Sequence, residues 1–269
     1  MNNILIKEDG RVDLGLKNKV SLVSGSSRGI GKAIACGLLK EGAIVYITGR
    51  NKEMLDSAYN DFKSQFGGRV YKFSGDLTNT DTIENLLNDI LNKHNRLDIV
   101  VANIGSGRFK SGWDVEDELW MKSFDINFFS SVKLSREAIR VMIPQKSGNI
   151  VFISSIAGCE AIPAPVEYSS AKSALLSYVK NTSNLVASMG IRLNAVSPGN
   201  IYFEGGTWDI KLNENKEVVE KYIKESVPLQ RLGRAEEISD AVCFLSSDRT
   251  SFVTGANFVV DGGQIKRIF

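Results

Sequence analysis

Short apolar runs alternate with amphipathic stretches along almost the whole chain, and no other feature narrows the fold as much. Val20–Val23 is a β-type run that ends in a glycine-rich turn, and Ile30–Leu39 follows with helical spacing. Ala43–Thr48 reads as the next strand and Lys52–Gln65 as a polar helix. Val70–Phe73 is a strand, Thr80–Asn92 a helix and Leu97–Ala102 a buried strand. One long helix is predicted over Trp120–Met142, then a strand at Asn149–Ser154 and a helix from about Ser169 to Met189. Arg192–Val196 is a strand, Ala235–Leu245 a helix and Asn257–Val260 a last strand. Strands apolar on both faces, separated by helices, predict a parallel sheet covered on both sides. Right-handed crossovers make this a doubly wound, Rossmann-type α/β fold.

A chain of 269 residues with 43% hydrophobic residues can bury one large core. No Pro/Gly/Ser-rich linker divides it, so residues 19–269 read as a single domain. Residues 1–18 read as an extension. The polar stretch Asn200–Val227, between a strand and a helix, reads as a lid over a site, at about 200–227. A net charge of +2, from 33 basic and 31 acidic residues, gives no global field for nucleic acid or an anionic membrane. Cys36, Cys159 and Cys243 are far apart, which disfavours a Cys/His metal site and suits reduced thiols. The lone histidine, His94, reads as a solvated helix-end residue and removes a Ser–His–Asp mechanism unless it takes part. The N-terminus lacks a signal-peptide core and no apolar run would span a bilayer, so a cytoplasmic protein is expected.

Ser24-Gly25-Ser26-Ser27-Arg28-Gly29-Ile30-Gly31 follows the first strand and opens the first helix. Glycine lets backbone approach a phosphate, and a helix N-terminus offers it free N–H groups. Gly25, Ser27, Arg28, Gly29, Ile30 and Gly31 are therefore candidate pyrophosphate contacts, against the plainer reading of a ligand-free turn. A P-loop fails on two counts: Ala33 follows Gly31-Lys32, and Ser26 stands where its first glycine would be. The second strand ends Thr48-Gly49-Arg50, with glycine where an acid would bind the ribose 2′-hydroxyl of NAD. Arg28 and Arg50 could instead hold a 2′-phosphate, which favours NADP(H).

Tyr168-Ser169-Ser170-Ala171-Lys172 places a phenol and an ammonium four apart on one helical face. The positive charge is expected to lower the tyrosine pKa. The pattern alone is common, but Ser154-Ser155 ends a strand at the ligand-binding edge of the sheet, and Ser155 precedes Tyr168 by thirteen residues.

Together these motifs resemble the classical branch of the short-chain dehydrogenase/reductase family, from about Asp13 to Gly263. The resemblance implies a sheet of about seven strands, and an NADP(H)-dependent reaction between a ketone and a secondary alcohol. It assigns catalysis to Asn127, Ser155, Tyr168 and Lys172. Ser155 would hold the carbonyl oxygen and Tyr168 would move the proton. Lys172 would also hold the nicotinamide ribose, and Asn127 a relay water. Bottom-up, Asn127 could equally be a solvent-facing polar residue. The resemblance adds Asp76 and Leu77 at adenine, Asn103 and Gly105 after the fourth strand, and Pro198, Gly199 and Ile201 beside the nicotinamide. Ala102 and Ile104 depart from its NNAG pattern, and Phe203 stands where a threonine is common, leaving Thr207 or backbone to meet the carboxamide. The substrate is expected to be a small carbonyl or alcohol. Gly158 to Glu167, with Tyr202, Phe203 and Trp208, would flank it, and Glu160, Glu167 and Glu204 would disfavour a strongly anionic one. The apolar faces of Ser123–Met142 and Ala171–Met189 suit a homo-oligomer, a tetramer or dimer, unless they only cover the sheet. Two other functions fit the fold: a catalytically silent NADP-binding regulator, and a nucleotide-sugar epimerase or dehydratase. The second needs a larger C-terminal domain than this length allows.

Overall fold

β1, Val20–Val23, is buried at all positions because it lies in the middle of a sheet covered on both faces. The computed structural model describes residues 12–109 and 112–268. Its main sheet is parallel and has seven strands. These are β1, β2 (Ile44–Gly49), β3 (Val70–Ser74), β4 (Ile99–Ala102), β5 (Gly148–Ile153), β6 (Ile191–Pro198) and, numbered for its place in the chain, β9 (Asn257–Val260). The order β3-β2-β1-β4-β5-β6-β9 reverses direction between β1 and β4. Such a reversal opens a crevice beyond the carboxyl ends of the strands, where ligands of this architecture sit.

Alternate strand residues feed two cores. Val23, Val45, Ile47, Val101, Val151 and Val196 pack under α1 (Gly29–Lys40), α2 (Lys52–Phe66) and α9 (Ala235–Ser246). Leu22, Tyr46, Val100, Ile150, Phe152 and Leu193 face α3 (Thr80–His94), α5 (Ser130–Gln145) and α6 (Val166–Val186). Period-two alternation fills both cores from the same strands.

Four expectations are corrected. The helix predicted over Trp120–Met142 starts earlier, as α4 (Asp117–Phe124), and reaches α5 only through a π-helical turn at Asp125–Phe129. The next helix begins at Val166 rather than about Ser169, because Pro165 presets its start and loses no needed N–H there. Tyr168 is therefore in its first turn. His94 is not simply solvated: its Nε2 lies 3.1 Å from the Tyr46 hydroxyl, and its ring meets Tyr46 and Tyr71 edge-on. Of the extension expected at 1–18, residues 1–11 lie outside the described residues. The rest packs against the body, with Leu16 in the core and the Ser247 hydroxyl donating to Leu14 O at 2.6 Å.

Residues 200–227 hold β7 (Ile201–Tyr202), α7 (Thr207–Glu214) and α8 (Lys216–Ser226). β7 pairs in parallel with β8 (Gly233–Arg234). Val219, Ile223 and Val227 form a small cluster with Trp208, Leu212, Tyr222 and Leu232, separate from both main cores.

Candidate active site

A crevice of about 1050 Å³ runs along the carboxyl edge of the sheet, from Arg50 and Asp76 past the glycine turn to Tyr168 and Trp208. Its floor at one end is the turn between β1 and α1. Gly25 and Gly29 have φ of +62° and +56°, values that side chains resist. Gly31 must lack a Cβ, which would lie 2.4 Å from Gly25 O and 2.5 Å from Asn103 Nδ2. Short polar side chains brace the loop. Gly25 N donates to Thr48 Oγ1 at 3.1 Å, and Thr48 N to Ser26 Oγ at 2.9 Å. The Ser24 hydroxyl accepts from Asn103 N at 2.9 Å. Asn103 Nδ2 in turn donates to the carbonyls of Ser24 and Gly25 at 2.9 and 3.1 Å. The side chain of Asn103 therefore holds the turn. Ile104, its neighbour, packs against Gly25.

At the far end the two arginines differ. Arg50 Nη1 lies 3.8 Å from Asp76 Oδ2, while Arg28 Nη1 approaches Gly205. Asp76 also accepts from Thr78 N and Oγ1 at 3.1 and 3.0 Å, the side-chain turn an aspartate favours. Leu77 is buried in the core that faces α3, α5 and α6 yet borders the crevice, which Ser27, Ile30, Gly105, Pro198, Gly199 and Ile201 also line.

At the other end the serine, tyrosine and lysine meet. Ser154 Oγ donates to Lys172 O at 3.1 Å, which commits it to packing and leaves Ser155 to face the site. The Ser155 hydroxyl accepts from Ala157 N at 3.1 Å and lies close enough to the Tyr168 phenol to favour its charged form. Lys172 Nζ is buried, donates to Ile153 O at 2.9 Å and stands 6.0 Å from the centre of the Tyr168 ring. A Cβ on Gly105 would fall 3.0 Å from Asn127 Oδ1 and 3.1 Å from Lys172 Nζ, and one on Gly107 would touch the Tyr168 ring at 3.7 Å. Gly105 and Gly107 thus lie against Asn127, Lys172 and Tyr168 because neither carries a side chain.

Two expectations change here. Burial raises the Tyr168 phenol above its ordinary value, and Ser155 only partly opposes this. Lys172 does not reverse the sign, and burial pushes its own amine down to about 8. Asn127 is fully buried rather than solvent-facing. It sits in the π-helical turn, accepts from Ser106 N at 2.8 Å and donates to Ser106 O at 3.0 Å. Such turns recur at functional sites because they displace a side chain from the helical register.

The three glutamates thought to oppose an anionic substrate do not line the crevice. Glu160 accepts from Lys266 N and Arg267 N at 2.8 and 3.0 Å, Glu167 is buried and Glu204 is exposed. Tyr202 donates to Asp209 at 3.1 Å and is also outside the lining. Residues missed in the sequence take their places: Ser106, Gly107 and Arg108 on one wall, and Lys211, Asn215 and Tyr222 on the other. Trp208 and Tyr222 stack at 5.3 Å, with Lys211 over the indole at 4.7 Å. Only the small-residue loop after β4 offered a signal for any of these.

A braced glycine turn and a serine–tyrosine–lysine group sharing one crevice define a dinucleotide-dependent oxidoreductase. Similarity to known proteins makes the class specific. The family described as enoyl-(acyl carrier protein) reductase matches residues 25–264. The 3-oxoacyl-[acyl-carrier-protein] reductase of Rickettsia felis is 36% identical over 252 residues, 94% of this chain and 99% of that protein. An uncharacterized oxidoreductase of Bacillus subtilis, YvrD, is 33% identical over 266 residues, 96% and 100% of the two chains. The crystal structure of L-sorbose reductase from Gluconobacter frateurii, complexed with NADPH and L-sorbose, is 28% identical. It superposes with a TM-score of 0.89 over 96% of this chain and 100% of its own. The chain belongs to the short-chain dehydrogenase/reductase family, as an enzyme acting on CH–OH and C=O groups.

Proposed function

We propose that this enzyme uses NADP(H) to interconvert a ketone and a secondary alcohol, with Ser155, Tyr168 and Lys172 as catalytic residues. The observation that carries this is that Lys172 and Tyr168 stand against Gly105 and Gly107 and line, with Ser155, the same crevice as Arg28 and Arg50. The residues present fit a dinucleotide. The turn has the glycines that close backbone approach needs, and the first amides of α1 have no helical partner to compete with an anion. Arg50 and Arg28 supply charge for a 2′-phosphate, and no acid stands at Gly49 to repel it. Asp76 and Leu77 would border the adenine, and Pro198, Gly199 and Ile201 the nicotinamide.

When bound, the cofactor supplies the hydride. Ser155 donates a hydrogen bond to the carbonyl oxygen. Tyr168 keeps its proton at neutral pH because burial raises it, so it donates that proton to the alkoxide as charge develops. Lys172, held by Ile153 O, would have its remaining donors for the nicotinamide ribose. Asn127 fixes the wall that carries Ser106. α7 and α8 act as the lid over the ketone, standing on their own apolar cluster. The test is a panel of 3-oxoacyl, sugar-like and simple ketones followed by loss of NADPH absorbance. No turnover of any ketone, with NADPH bound, would favour a silent regulator.

The same reading makes the enzyme cytoplasmic and homo-oligomeric. Free Cys36, Cys159 and Cys243 suit a reducing compartment. Phe129, the last residue of the π-helical turn, and Leu185, on α6, are 45% and 72% exposed and offer apolar surface to a second copy. Light scattering gives the assembly, and a monomer at micromolar concentration would refute it.

A further inference from the structure

One contact beside the glycine turn has no part in the roles above. The Phe203 ring is half-buried and lies over Gly29. A Cβ on Gly29 would sit 2.8 Å from Cδ2 and Cε2 of that ring, and one on Gly206 would sit 3.0 Å from Cε2 and Cζ. Two residues without side chains thus shape a slot for an aromatic ring.

The turn that carries the ring is fastened on three sides. Gly206 N donates to Phe203 O at 2.9 Å and closes it. Gly205, with φ +68°, donates to Asp209 Oδ2 at 2.8 Å. Arg108, from the loop after β4, donates from Nη2 to Gly205 O at 2.5 Å and so ties one wall of the crevice to the other.

Gly29 is the first residue of α1, where backbone amides lack helical partners. These are the amides assigned above to the pyrophosphate. The ring packs on the side of Gly29 that a side chain would occupy and, with Gly29 and Ile30, lines the crevice where a phosphate would meet these amides.

We propose that Phe203 fills the phosphate seat of the glycine turn while the site is empty, latched by Arg108, and competes with the dinucleotide for it. The proposal rests on the NADP(H) reading. The ring must leave its slot before the Gly29–Ile30 amides are reached, so apparent affinity is reduced by the fraction of molecules with the slot closed. α7 begins at Thr207, next to this turn. Movement of Phe203 is therefore tied to repositioning of the helix that carries Trp208, which sets the cofactor before the ketone.

Fluorescence titration and stopped-flow mixing with NADPH test this on the wild-type chain, Phe203→Ala and Arg108→Ala. Adenosine 2′-monophosphate, which carries the 2′-phosphate but no pyrophosphate, is the control ligand. Phe203→Ala is expected to tighten NADPH binding about fivefold and speed association, if the slot is closed in most molecules. Arg108→Ala keeps the ring but frees the turn, and should speed association by less. Affinity for adenosine 2′-monophosphate should stay the same in all three. Unchanged or weaker NADPH binding by Phe203→Ala would overturn the proposal, as would equal tightening of both ligands. Should Phe203→Ala fail to fold, unaltered association in Arg108→Ala overturns it alone. Absence of NADPH binding in every chain would overturn the cofactor reading together with this one.

Discussion

The two ends of the crevice are built by opposite means. At the glycine turn, Ser24, Ser26, Thr48 and Asn103 spend their hydrogen bonds on one another and on backbone, and the loop stands on strands from the centre of the sheet. At the other end, proposed above as a lid, α7 buries none of its residues and α8 only Val219 and Ile223. Asn200 Nδ2 donates to the Tyr222 hydroxyl at 3.1 Å, and Arg108 donates to Gly205 O. Under the proposed function, the first end fixes where reaction occurs and the second governs what is admitted. Short side chains bonded to backbone make the first rigid. A thin apolar cluster leaves the second able to open.

The sharpest way to break this contrast is at the chemistry between the two ends. Tyr168→Phe should lower turnover by about 10²–10⁴, the range for a lost acid/base, while NADPH titration stays near wild type. Turnover within tenfold of wild type would remove the tyrosine from its role. Next comes the rigid end. Gly31→Ala should cost about 1–3 kcal/mol in thermal unfolding and weaken NADPH together with stability, since its Cβ meets Gly25 O. A melting temperature equal to wild type would show the turn to be pliable. Arg50→Ala should weaken NADPH about tenfold and NADH hardly at all, as one charge-assisted contact is lost at an exposed site. Equal loss for both would end the phosphate role. Titrated against pH, NADPH affinity should fall as pH rises through about 8, where Lys172 loses its proton, and Lys172→Met should lack that fall. The same slope in both chains would assign it to another group. The smallest effect is expected at the lid: Trp208→Ala should shift KM among ketones severalfold with melting unchanged, because the residue lies outside both main cores. Unfolding of that variant would erase the distinction between the two ends.

Much of the rigid end was legible because its signals are local. Gly25, Gly29 and Gly31 mark a turn by spacing, and Tyr168 and Lys172 share a face by helical periodicity. The seven strands were legible from apolar runs, with ends misplaced by a few residues. Asn127 was not, because a π-helical turn has no short-range signature and reads as ordinary helix. The direction of the Tyr168 shift was hidden as well. It depends on how deeply the phenol and the Lys172 amine are buried, which no spacing encodes. Glu160 was misread since its partners, Lys266 and Arg267, are more than a hundred residues away. The helices of the lid were taken for a polar insertion because so few of their residues are apolar.

The cluster of Val219, Ile223 and Val227 has one more consequence. Being discontinuous with the packing beneath the sheet, it lets substitutions accumulate around Trp208 and Tyr222 without eroding the scaffold. Such a chain can drift from one carbonyl compound to another while its reaction stays the same.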